Sequence, residues 1–128
     1  MPEQIELAPD PENVAAARRW SAARAVDAGC EDAADMVALL VGELVTNVVL
    51  HARTSFALSF RFHNRRLRFE VHDHSDRLPV IAARPDPMAL SGRGMGMVSM
   101  LSDDCGAEEL PDGGKVVWFE LEAPVKAA

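Results

Sequence analysis

The chain is short of cysteine, of positive charge and of long apolar runs, and each shortage removes a class of explanation. Its 128 residues include two cysteines, Cys30 and Cys105, far apart and without CxxC spacing. A disulfide framework or a thiolate metal site needs more than this. Both therefore read as small buried or half-buried apolar residues in a reducing compartment. Thirteen Lys and Arg stand against 20 Asp and Glu, a formal net charge of -7. A general nucleic-acid binder draws its affinity from basic contacts to phosphate, so no direct nucleic-acid partner is expected. No unbroken apolar run approaches the thickness of a bilayer, and no membrane span is expected. Met1-Pro2-Glu3-Gln4 lacks the basic-then-apolar opening of a secretory leader. These absences point to the cytoplasm.

What is present is a globular composition, 48% hydrophobic, at the length of one domain. A single domain over 1–128 is expected, with its core at about 5–122. Residues 4–8 alternate and suit a short edge strand. Pro9-Asp10-Pro11 then breaks the chain, with Asp10 as the expected N-cap of a helix over 11–28 and Gly29 as its stop. A second helix opens at Glu31 or Asp32. Met36, Val37, Leu40, Leu44 and Val48 carry its apolar stripe. Glu43, Asn47 and His51 recur every four residues on another stripe, a carboxylate, a carboxamide and an imidazole one turn apart. Such a row is either a solvated face or the wall of a site.

After Thr54 the period changes to two. Phe56, Leu58, Phe60 and Phe62, then Leu67, Phe69 and Val71, form the apolar face of a hairpin that turns at 63–66. The arginines on its other side read as a soluble sheet surface. The same parity puts Asp73 on the buried face and His72 and His74 on the other. A buried carboxylate is costly without donors, so Asp73 needs a protein or ligand partner. Histidines that point away from the aspartate between them do not form a metal shell with it. Residues 75–93 show no period and are rich in Pro, Ser, Asp and Arg, as in a lid. Gly92, Gly94 and Gly96 then open an apolar helix. Glycines at a helix start can cradle a phosphate, and a hinge has the same appearance. Segments 105–110 and 115–122 close the chain as a second hairpin, with Val117, Phe119 and Leu121 on its core face.

Taken in order, Glu43-Leu44-Val45-Thr46-Asn47 with His51, Asp73-His74-Ser75 with Pro79, Gly92-Arg93-Gly94-Met95-Gly96-Met97, and Gly114-Lys115-Val116-Val117-Trp118 resemble the boxes of the GHKL ATP-binding superfamily. More narrowly, the chain resembles the small anti-sigma factor serine/threonine kinases of the SpoIIAB and RsbW type. The resemblance covers about 5–122. It implies the Bergerat fold, an α/β (α+β) two-layer sandwich with a mostly antiparallel mixed sheet, helices on one face and a lid at about 76–93. It implies ATP and Mg²⁺ as cofactors. Asn47 holds the metal against the phosphates, Glu43 acts as general base and Asp73 accepts from the adenine amino group. Ser75, Pro79, Gly92, Arg93, Gly94, Met95, Gly96 and Met97 complete the nucleotide site, with Arg93 reaching the terminal phosphate. The implied partners are a STAS-type anti-sigma antagonist, phosphorylated on Ser or Thr, a sigma factor, and a second copy of the chain. A nucleotide-gated partner-binding regulator without catalysis is the alternative. Two positions depart from the family pattern. Val116 aligns with a Thr that helps hold the adenine-side water, and Cys105 stands where Trp is common.

Overall fold

The computed structural model describes residues 3–75, 93–111 and 113–123. Its elements are β1 (Glu3–Leu7), α1 (Glu12–Asp27), α2 (Ala34–Asn47), β2 (Phe56–His63), β3 (Arg66–Asp73), α3 (Arg93–Leu101), β4 (Asp104–Glu109) and β5 (Lys115–Glu122). The strands form one sheet in the order β1-β2-β3-β5-β4. All four pairings among the described residues are antiparallel, in keeping with the mostly antiparallel sheet expected. The helices pack on one side of the sheet, giving the two-layer α/β sandwich.

The alternation in the strands decides which face the helices cover. Aligned across β2, β3 and β5 are the rungs Phe60–Phe69–Phe119 and Leu58–Val71–Val117. Every one of these side chains is buried. The Phe60 and Phe69 rings lie 4.9 Å apart and those of Phe69 and Phe119 lie 5.5 Å apart. The last rung is Phe56–Asp73–Lys115, so an apolar series ends in a charged pair. The hairpin between β2 and β3 turns through Asn64 (φ 51) and Arg65 (φ 64). Two consecutive positive φ values define the tight turn whose twist matches the strands it joins.

Helix α1 presents the small residues Ala17, Ser21 and Ala25 to the core, one per turn. It therefore approaches α2 closely, and the stem of Arg18 lies over Gly42, where an added Cβ would sit 3.0 Å from Arg18 Cδ. The start of α1 differs from expectation. Pro11, not Asp10, is the N-cap, and no side chain caps the helix. Asp10 instead accepts the Asn13 N–H through its backbone carbonyl, and the Asn13 side chain ties back to the Ala8 carbonyl. Its end is as expected: Gly29 takes φ +81, and the Cys30 N–H donates back to the Ala25 carbonyl.

Helix α2 is the central element. A 3₁₀ turn (Glu31–Ala33) precedes it and a π-helical turn (Val48–Ala52) follows. The whole run Glu31–Ala52 is 22 residues, long and apolar enough to cross a membrane by length and composition. Glu31, Asp32, Asp35 and Glu43 interrupt the apolar run without interrupting the helix. A core helix passes the same test. Here Val37, Leu40, Val41, Leu44 and Val45 are buried against α1, α3 and the sheet. Cys30 is buried and Cys105 half-buried, and both are free thiols.

Candidate functional site

The polar row on α2 begins as its spacing predicts. Glu43 and Asn47 are four residues apart on regular α-helix, both half-buried. The row does not continue to His51. After Asn47 the helix widens into the π turn, whose wider repeat swings a residue four further on out of line. His51 is exposed. The π turn closes at Arg53, held left-handed (φ 56), with its N–H bonded 2.7 Å to the Val48 carbonyl. A local widening of this kind is common at functional sites, and this one falls directly after Asn47.

Thr54 follows, and it joins the two halves of the site. Its Oγ1 accepts the His74 N–H at 3.0 Å and donates to the Ser55 carbonyl at 3.0 Å. One hydroxyl thus fixes the exit of β3 to the exit of α2. Nothing in the sequence pattern marked Thr54, because its role depends on two segments that meet only in the fold.

Asp73 is fully buried at the end of β3, on the face its parity predicts. Its Oδ1 accepts the Ser75 N–H at 2.8 Å and the Lys115 ammonium at 3.2 Å. Lys115 Nζ also lies 3.0 Å from Oδ2, an ion-pair distance, but off the line of a hydrogen bond. Oδ2 has no hydrogen-bond partner among the described residues. A buried carboxylate oxygen with free lone pairs is a place for a ligand donor. This is the feature by which the site fits an amino group of a nucleotide base.

Lys115 was absent from the sequence-derived site, although the parity that places Val117, Phe119 and Leu121 on the core face extends to it. The register corrects the family comparison as well. Lys115 stands opposite Asp73, while Val116 pairs with His72 on the outer face. The residue that can share a ligand with Asp73 is therefore Lys115. Gly114 completes this wall. It takes φ +84, and a Cβ there would come 2.5 Å from the Asp73 carbonyl oxygen.

Ser75 reaches Asp73 through its backbone. Arg93, Gly94 and Met95 form the first turn of α3, Gly96 is buried and Met97 half-buried, and α3 packs on α2. Pro79, Gly92 and the lid at 76–92 lie outside the described residues. Among the described residues, the end of β3 and the start of β5 meet in the Asp73–Lys115 pair on the helix-covered side of the sheet, and α2 carries Glu43 and Asn47 on the layer that covers it.

The outer face has different chemistry. Arg68 bonds Glu70 at 2.6 Å and Glu120 at 2.9 Å, Arg66 bonds Glu120 at 2.8 Å, and the Arg68 guanidinium lies 4.0 Å over the Trp118 ring. Burial raises the Glu120 pKa, but hydrogen bonds from Arg66 and Arg68 outweigh it and hold the carboxyl below its ordinary value. Desolvation opposes the Arg68 charge, and its bonds to Glu70 and Glu120 leave its pKa raised. These arginines are committed to their neighbours, as a soluble sheet surface requires.

A family model described as a histidine kinase-like ATPase domain matches residues 7–121. No curated protein matches the chain significantly. The solved structure of the RsbU and RsbW domains of Rv1364c from Mycobacterium tuberculosis is similar in fold, with TM-score 0.70 over 96% of this chain at 13% identity. This chain spans 32% of that one.

Proposed function

Because the chain belongs to the histidine kinase-like ATPase domain family, we propose that it binds Mg-ATP on the helix-covered face of its sheet and acts as an RsbW-type protein serine/threonine kinase. The acceptor is a Ser or Thr of a STAS-type anti-sigma antagonist, and its phosphorylation switches a sigma factor between partners in the cytoplasm. The observation that carries this reading is the buried Asp73 carboxylate at the end of β3, whose Oδ2 is ion-paired to Lys115 but accepts no hydrogen bond among the described residues.

When bound, Mg-ATP supplies the phosphoryl group and the charge that eases its transfer. The chain's residues do the rest. Asp73 accepts from the amino group of the base. Asn47 offers its amide oxygen to the metal, a hard ligand of the kind magnesium takes sparingly from proteins. Glu43, one turn earlier on the same stripe, takes the proton of the attacking hydroxyl. The backbone N–H groups at the start of α3 receive phosphate oxygens, and Arg93 neutralises charge on the terminal phosphate.

Calorimetry with Mg-ATP tests the binding half. Wild type is expected to bind and Asp73→Ala to lose at least tenfold in affinity. No binding to wild type, or unchanged binding in the variant, would sink the assignment. For transfer, γ-labelled ATP and an antagonist-type partner are incubated with wild type and Glu43→Ala. Label on the partner that disappears in the variant supports the kinase. Nucleotide-dependent partner capture without label would instead make the chain a nucleotide-gated regulator.

A further inference from the structure

The Asp73–Lys115 pair offers more than one acceptor. The Lys115 ammonium has three N–H donors, and among the described residues its one hydrogen bond goes to Asp73 Oδ1. Both side chains are almost completely buried, with side-chain exposure of 3% for Lys115 and 1% for Asp73. Oδ2 and Nζ lie 3.0 Å apart as an ion pair at the end of the inner face, Oδ2 with no hydrogen bond of its own and Nζ with N–H donors beyond the one bonded to Oδ1. The base edge of adenine presents the complement, an amino donor beside the N1 acceptor. We propose that Lys115 is a specificity-determining residue that donates directly to adenine N1 while Asp73 accepts from the amino group. The inference rests on the Mg-ATP reading above and adds to it a charged, direct contact to a second base atom.

The register makes this contact available. Lys115 leaves β5 in the rung of Asp73, and Gly114 before it lies close enough to the Asp73 carbonyl to exclude any side chain. The stem of Lys115 is buried on the core face, so its ammonium is held at the carboxylate. A hydrogen bond from a charged donor discriminates strongly against a partner that lacks the acceptor.

The test compares Mg-ATP with Mg-1-deaza-ATP, in which C–H replaces N1, by calorimetry on wild type and Lys115→Met. Wild type is expected to bind ATP about tenfold or more tightly than the deaza analogue. In Lys115→Met the two nucleotides should bind within about twofold of each other. Equal binding of both by wild type overturns the proposal and leaves the Mg-ATP reading intact, and so does a preference that persists in Lys115→Met. Binding of neither nucleotide by wild type overturns both. GTP bound as tightly as ATP also overturns it, because guanine carries a donor at N1. Should Lys115→Met not fold, Lys115→Gln carries the test. Its amide donor is uncharged, so the preference should shrink severalfold, and an unchanged ratio overturns the proposal.

Discussion

Gly114 carries a constraint that only glycine meets. Its φ of +84 lies in the left-handed region, and a Cβ would come 2.5 Å from the Asp73 carbonyl. Gly114→Ala is expected to cost about 2 kcal/mol, from backbone strain and the forced shift of β3, read as a lower urea midpoint. Neighbouring Asp73 and Lys115 form a buried pair, and removing one partner leaves the other charge stranded. Asp73→Asn and Lys115→Met should each destabilise by about 3 kcal/mol, with the double variant losing clearly less than the sum. Additive losses in a double-mutant cycle would show that the pair is not coupled. The identity of Asp73 as a buried carboxylate follows from alternation along one strand. Its partner does not, because pairing depends on the register of another strand 42 residues away.

At the scale of elements, β3 and β5 are tied twice, by their core rungs and by the outer Arg66–Glu120–Arg68 bridges. Glu120 has its folded pKa lowered below its ordinary 4.5. Its contribution to stability is therefore fully present above about pH 4.5 and is lost as pH falls through the lowered value. Urea melts of wild type and Glu120→Gln should differ by about 1 kcal/mol at neutral pH and converge well below pH 4. A gap that persists at low pH would assign the loss to packing. Helix α2 was legible in its apolar stripe, and its first turns behave as the spacing says. Its last turn was not, since the π turn closes on a left-handed Arg53 and the following Thr54 is tied to the exit of β3, a contact made only in the fold.

Among the described residues, three helices cover one face of a five-stranded sheet, and the other face carries the Arg66, Arg68, Glu70 and Glu120 network. The rings of Phe60, Phe69 and Phe119 pack within the hydrophobic core of the described residues. Phe69→Ala should cost about 3–5 kcal/mol, a large share of a small domain's stability, and thermal melting should register it as a drop of more than about 10 °C. A change of only a few degrees would mean that the core rearranges around the cavity.

The sequence by itself determined the strands, the hairpins, the buried place of Asp73 and the shared stripe of Glu43 and Asn47. Each is a consequence of local periodicity, which a chain carries without reference to its neighbours. Only the tertiary structure decided that Lys115 faces Asp73 and that Val116 does not. It alone decided that the helix widens after Asn47 and drops His51 from the row, and that Thr54 ties the two exits together. Those outcomes depend on register and packing between segments far apart in sequence, where a shift of one residue reverses every side chain.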